Sequence, residues 1–246
     1  MVSQAGWGAR LARWARVLAG IALLVGAGGL ILARYDIVDK IVGFSAFLGG
    51  GGIALLALVS GLAGLIASRR SASPGRRGGV VAILFSAGYV AFLVSRPLVA
   101  GEVPAIHDIT TDLADPPRFE VLQLRKDNLA GVETVENWRR IHAQAYGDLR
   151  PITIPRPVAE VTADAVRLAR AEGWRIAASD PSRGHVEATA SVSFIRFQDD
   201  VVIRIAPTAD GNGSQVDMRS VSRVGRSDFG VNAKRIRAFL KRLAEG

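Results

Sequence analysis

Cysteine is absent from the 246 residues. That excludes disulfides, a zinc site built on thiolates and a thiol nucleophile. Other chemical signatures are missing too. No serine nucleophile elbow, Walker loop, dinucleotide fingerprint or HExxH helix occurs, so the common hydrolytic, nucleotide-binding and zinc-protease chemistries have no motif to stand on. No cofactor and no metal centre are expected. Acidic residues are scarce in the first 98 positions, where only Asp36 and Asp39 stand against ten basic residues, a net charge of +8. The other 148 residues carry 21 basic and 20 acidic residues, a net charge of +1. The basic excess therefore lies between apolar segments and not on a folded face that could follow a phosphate backbone. No nucleic-acid partner is expected.

What is present is long apolar sequence. Crossing a bilayer core of roughly 30 Å takes about 20 apolar residues as helix. Three stretches qualify, at about 14–33, 41–67 and 79–99, and none has a charge in its interior. The first is expected to stay as a membrane helix and not to be cleaved as a signal segment, because its apolar run is long and no convincing small-residue site follows Leu32. Positive charge in short loops sets orientation. Arg10, Arg13 and Arg16 precede the first span, and Arg69, Arg70, Arg76 and Arg77 separate the second from the third. Between the first two spans, Arg34 and Lys40 are balanced by Asp36 and Asp39, while Glu102, Asp108, Asp112 and Asp115 follow the third. The N-terminus is then cytoplasmic, and three spans place the remainder outside. The expected division is a membrane domain over 1–99 and a soluble domain over 100–246. The spans are rich in glycine, with the run Gly49–Gly52 and the small-residue pairs Ala22/Gly26, Ala46/Gly50, Ala57/Gly61 and Ser60/Gly64. These suit close packing of the three helices, or homo-oligomerisation through the same faces.

In the second part, residues 100–131 are punctuated by Pro104, Pro116 and Pro117 and read as irregular. A helix is expected over about 133–146, then an extended connector through Pro151, Pro155 and Pro157, and a second helix over about 158–172. Four strands follow. The first holds Trp174, Ile176 and Ala178. The second alternates apolar Val186, Ala188, Ala190, Val192 and Phe194 with polar His185, Glu187, Thr189, Ser191 and Ser193. The third is 199–206, and the turn Asp210–Asn212 returns the chain into the fourth, 214–224. That turn puts Arg204 and Asp217 opposite or diagonal to each other on one face. A last helix over about 232–244 presents Ile236, Phe239, Leu240 and Leu243. Consecutive strands with helices at the ends predict an α+β fold: a two-layer domain with an antiparallel sheet of about four strands packed against helices.

Three segments now take on meaning together: Pro104–Asp112 with Pro116-Pro117-Arg118-Phe119, Asp199–Arg204, and Arg219–Ile236. Through them the part from about 100 to 243 resembles DUF1499, a family of bacterial and plant proteins some of which are fused to membrane helices. The resemblance implies no activity. Together with the three spans and the loop arginines, the expected location is a bacterial inner (cell) membrane, as a multi-pass protein with the C-terminal domain in the periplasm. Relatives carry cysteines early in the domain, and this chain departs from them there.

Two clusters carry whatever chemistry the domain has. Arg219, Arg223, Arg226 and Arg235 stand among Asp228, Asn232 and several serines, a composition that suits an anion held by guanidinium forks and the start of the last helix. The same arginines could instead pair with Asp199, Asp200, Asp217 and Asp228, with Asp228 or Asn232 capping the helix. His107, Asp108 and Asp112 are the other cluster, candidates for acid–base hydrolysis but equally for turn-forming bonds. The favoured expectation is an envelope binding module for an anionic lipid, glycan or protein partner. The alternative is an envelope hydrolase using His107 with Asp108 or Asp112.

Overall fold

A computed structural model describes residues 6–68, 76–100 and 103–246. Arg69, Arg70 and Glu102, which contribute to the expected orientation, lie outside the described residues, as does the side chain of Arg76. The chain divides into two compact units, Met1–Gly101 and Glu102–Gly246.

The first unit is three helices, α1 (Trp7–Arg34), α2 (Lys40–Ala67) and α3 (Arg76–Ala100). Each contains a segment long and apolar enough to cross a membrane, with mean hydropathy of 2.1, 2.0 and 2.0 in turn. Glycines let these helices approach. Gly29 faces Ala46 and the Gly43 carbonyl, Gly61 lies against Ile83 and Ala15, and Gly64 lies so near the Ala12 amide that an added Cβ would stand 3.0 Å from it. The Tyr89 hydroxyl passes over Gly26 and donates to the Phe47 carbonyl at 2.7 Å. The run Gly49–Gly52 does not interrupt α2.

The second unit contains β1 (Asp108–Thr110), α4 (Val135–Tyr146), β2 (Ile152–Ile154), α5 (Val158–Ala171), β3 (Arg175–Asp180), β4 (His185–Val192), β5 (Phe197–Pro207), β6 (Ser214–Ser222) and α6 (Val231–Glu245). It is α+β with one antiparallel sheet, ordered β1-β6-β5-β4-β3, and β2 pairs with β6 as well. The sheet thus has six strands where about four were expected. The two extra strands are three residues each, too short to show alternation. β1 lies in the segment read as irregular and β2 between Pro151 and Pro155. Both owe their extended form to β6, whose free edge they share, Asp108 opposite Val221 and Ile152 opposite Val216. Arg204 stands opposite Asp217, as the hairpin register requires.

One sheet face carries Val186, Ala188, Ala190, Val201, Ile203, Ile205, Val216 and Met218 and packs on α5 and α6. Trp174 stacks on Phe239 of α6 at 4.9 Å. The other face carries Glu187, Thr189, Asp200, Val202, Arg204, Asp217 and Arg219. Sequence alternation marked its β4 part as the polar side of a half-buried strand, yet Glu187 and Val202 are fully buried. The cover is the irregular chain after β1. There the Glu187 carboxylate accepts the amides of Glu120 (2.5 Å), Val121 (3.0 Å) and Leu122 (2.6 Å). A carboxylate on the sheet thereby fastens a strap of non-repetitive chain across it. Burial pushes the Glu187 carboxyl upward, but the amides of Leu122, Glu120 and Val121 and the His185 ring outweigh it and hold the group below its ordinary range.

Candidate functional site

The two sequence clusters meet at one end of β6. Arg219 projects from the strap face and grips Asp108 with a fork, Nε to Oδ1 at 2.8 Å and one terminal nitrogen to Oδ2 at 2.6 Å. Its other terminal nitrogen reaches the Pro117 carbonyl, and the Phe119 ring lies 6.0 Å away. Asn128 donates to Asp108 at 2.6 Å and meets the His107 Nε2 at 3.2 Å through its oxygen. The other ring nitrogen of His107 faces the Arg226 carbonyl at 3.5 Å. His107 reaches Asp108 only through Asn128. Asp112 is elsewhere: it accepts the amides of Ala114 and Asp115 in a turn and joins Arg204, which also contacts Asp115 and Asp217.

The arginines divide by burial. Arg235 leaves the first turns of α6 and pairs with Asp199 at 2.6 Å, and it also contacts Asn232 and Ser220. Both members of that pair are buried. Arg223 forks onto Asp200 at 2.8 Å and donates to Gln198 and Thr189, with its side chain 37% exposed. Arg226 is exposed, and its aliphatic stem lies across Gly131. Asp228 caps α6 by accepting the Gly230 and Asn232 amides at 2.9 and 2.7 Å. Burial pushes its carboxyl up against those two bonds, and the nearby Asp199 charge adds to the rise. Asn232 is fully buried and joins three segments, donating to the His107 carbonyl and the Ser222 hydroxyl and accepting from Ser220. Gly225 and Gly230, at φ 89° and 77°, let the intervening loop turn tightly enough to bring Asp228 back under the helix.

Asp108 and Arg219 were both candidates from sequence, but their pairing with each other was not foreseen, nor were Asn128 and Glu187. Nothing local distinguishes them. Asn128 sits in a polar run that reads as a turn, and the Asp108–Arg219 fork joins positions 111 residues apart. His142, placed on a helix from sequence, is buried between Trp138 and Tyr146. Its Nε2 accepts the Thr110 amide at 3.1 Å, so Nδ1 carries the proton and has no partner among the described residues. Burial pushes its pKa down to about 4 and that of Tyr146 up to about 12. Among the described residues, no group of three or more histidine and acidic side chains is arranged to hold a metal ion.

A family profile described as "Protein of unknown function (DUF1499)" matches residues 108–243, more than half of the chain. No curated protein matches it.

Proposed function

The chain belongs to the DUF1499 family, and we propose that it is a membrane-anchored binding module of the bacterial cell envelope, its second unit held outside the cytoplasm to recognise an anionic lipid, glycan or protein partner. The observation that carries this reading is the division of the motif arginines. Arg219 and Arg235 are neutralised by buried aspartates and act as framework. Arg223 is also paired with a buried aspartate, Asp200, but its side chain is part-exposed, and Arg226 is exposed on the same framework. A charge held in place by a rigid network binds an anion with little ordering cost. The hydrolase reading has no comparable support, because both ring nitrogens of His107 face protein oxygens and the residue is 3% exposed.

The outward placement rests on loop charge. Lys40 lies within 2.8 Å of Asp36 and also donates to the Ala33 carbonyl, so the turn between α1 and α2 carries little net charge. Orientation follows the count of basic residues, and this turn has two, Arg34 and Lys40, against three arginines at the start of the first span and four between the second and third, so it is the one expected to cross. A reporter that matures only outside the cytoplasm, fused after Gly246, is expected to be active, and the same reporter inserted at residues 71–75 silent. The reverse pattern refutes the placement. Native mass spectrometry of the full-length protein is expected to show an anionic adduct that Arg226→Gln weakens. An adduct of equal occupancy in the variant refutes the role of the arginine.

A further inference from the structure

The sheet has two ends of different chemistry. At one, the β3–β4 turn and the β5–β6 hairpin are built from short polar residues that satisfy one another. Asp180 accepts from Ser182 and Arg183, and Asp210 from Thr208 and Asn212. Neither turn contains an aromatic residue. At the other end lie the β4–β5 turn, the end of β6, the start of β1 and the loop 223–230. Two phenylalanines stand out there, Phe194 at 55% exposure and Phe229 at 62%. Arg196, Arg226 and Lys126 are exposed beside them. Asp127, the acid next to Lys126, is already taken by Arg125, which also donates to the Gly225 carbonyl of the same loop.

The backbone at this end is held in an unfavourable form. Of the five non-glycine residues with left-handed φ among the described residues, three are here: Ser193 (64°), Arg196 (60°) and Phe229 (53°). Such conformations are uncommon outside glycine and persist where the surrounding structure enforces them. Their effect is outward display. Ser193 ends the β4 alternation that would have turned Phe194 onto the helix-facing side with Val192, and the next residue, Ile195, is buried. The chain also enters the unit at this end. Val103 lies against Gly230, and the Asp228 amide donates to the Ile106 carbonyl. In sequence, Val103 follows Ala100, the last residue of the third membrane-capable helix, by three positions.

We propose that this end of the domain, with Phe194 and Phe229 as apolar anchors and Arg196, Arg226 and Lys126 as headgroup contacts, docks on the surface of an anionic phospholipid bilayer. The inference rests on the binding-module reading and names its partner as the lipid interface. Phenylalanine side chains displayed beside basic residues suit the headgroup–acyl boundary, where apolar groups settle about 5–10 Å deep and cations meet lipid phosphates. Because so few residues of sequence separate Val103 from the third membrane-capable helix, a bilayer crossed by that helix is a surface present at high effective concentration.

The chain lacks cysteine, so single labels are simple to introduce. Phe194→Cys, Phe229→Cys and Asp210→Cys, each in the full-length protein and each carrying a nitroxide, are reconstituted in vesicles of phosphatidylcholine with or without a third of phosphatidylglycerol. Protease resistance of the labelled domain confirms folding. In the anionic vesicles, labels at 194 and 229 are expected to be several-fold more accessible to oxygen than to a water-soluble nickel complex, relative to the label at 210. Combining either label with Arg196→Gln and Arg226→Gln, or omitting phosphatidylglycerol, is expected to return it to water. Labels at 194 and 229 that match the one at 210 in anionic vesicles overturn the proposal, and so does equal lipid exposure without phosphatidylglycerol. Failure here with an anionic adduct retained in mass spectrometry removes only the docking face. Failure of the reporter fusion removes the outward placement itself.

Discussion

Glu187→Gln isolates the attachment of the strap to the sheet. The carboxylate is fully buried, with Oε1 accepting from Glu120, Val121 and His185 and Oε2 from Val121 and Leu122. Glutamine keeps one oxygen and turns the other position into a donor. If the oxygen stays with Glu120, the Leu122 amide faces an NH2 group and is orphaned. Bonds to a charged acceptor contribute about 1.5–3 kcal/mol, and an unsatisfied buried donor costs about 1–3 kcal/mol. Removing the charge also relieves its desolvation, so the net loss is about 3 kcal/mol and not the sum. For a domain of this size that corresponds to a fall in Tm of about 6–12 °C. Urea titration with pulse proteolysis of the full-length protein in detergent reads the loss directly. The pH dependence is a second measurement. Because the folded carboxyl lies below its ordinary range, the unfolded chain takes up the proton first. The stabilisation is complete above the unfolded value of about 4.3 and is lost as pH falls through the folded one. The wild type should therefore lose more stability than the variant in that acid window. A variant within about 1 kcal/mol of wild type at neutral pH, with an unchanged acid slope, would refute the carboxylate's role in holding the strap.

Further outcomes follow from the same packing. Asp108→Asn and Arg219→Met each break a largely buried fork and should each cost about 3 kcal/mol, while the double variant should fall short of additivity by about 1–3 kcal/mol; strict additivity in a denaturation cycle would disprove direct coupling. His142, with its pKa lowered to about 4, resists protonation that the unfolded chain accepts near 6.5, so stability should fall by about 3 kcal/mol as pH drops from 6.5 to 4. In His142→Leu that slope should vanish, and an NMR titration of His142 with a midpoint near 6.5 would contradict the assignment. Gly184 sits at φ 64°, where an added Cβ would strike the Ile205 carbonyl and Val158. Gly184→Ala should lower stability by about 2 kcal/mol or more in thermal melts, and a neutral result would show that the β3–β4 turn relaxes freely.

Local pattern was enough for the long elements. Three uncharged runs marked α1, α2 and α3. Helical spacing marked α4, α5 and α6, alternation marked β3 and β4, and the turn at Asp210–Asn212 bracketed β5 and β6, because each signal is written within one short stretch of chain. The turn at Asp210–Asn212 fixed which residue of β5 meets which of β6, so Arg204 and Asp217 were legible as a pair. The motif 219–236 marked where charged residues gather. It did not show their partners. The choice between an open anion site and closed ion pairs depended on distances between Arg219 and Asp108, Arg223 and Asp200, and Arg235 and Asp199, contacts that span 23 to 111 residues of chain. Tertiary structure also decided the fate of Glu187. Alternation put it on a polar face, and only the strap folding over that face made it a buried anion with backbone donors. β1 and β2 are the same lesson in backbone form: three residues carry no period, and their extended form comes from the edge of β6 beside them. Periodicity records what a segment does with its own faces, whereas the pairing of distant charges and the covering of a sheet are settled by the partner that arrives.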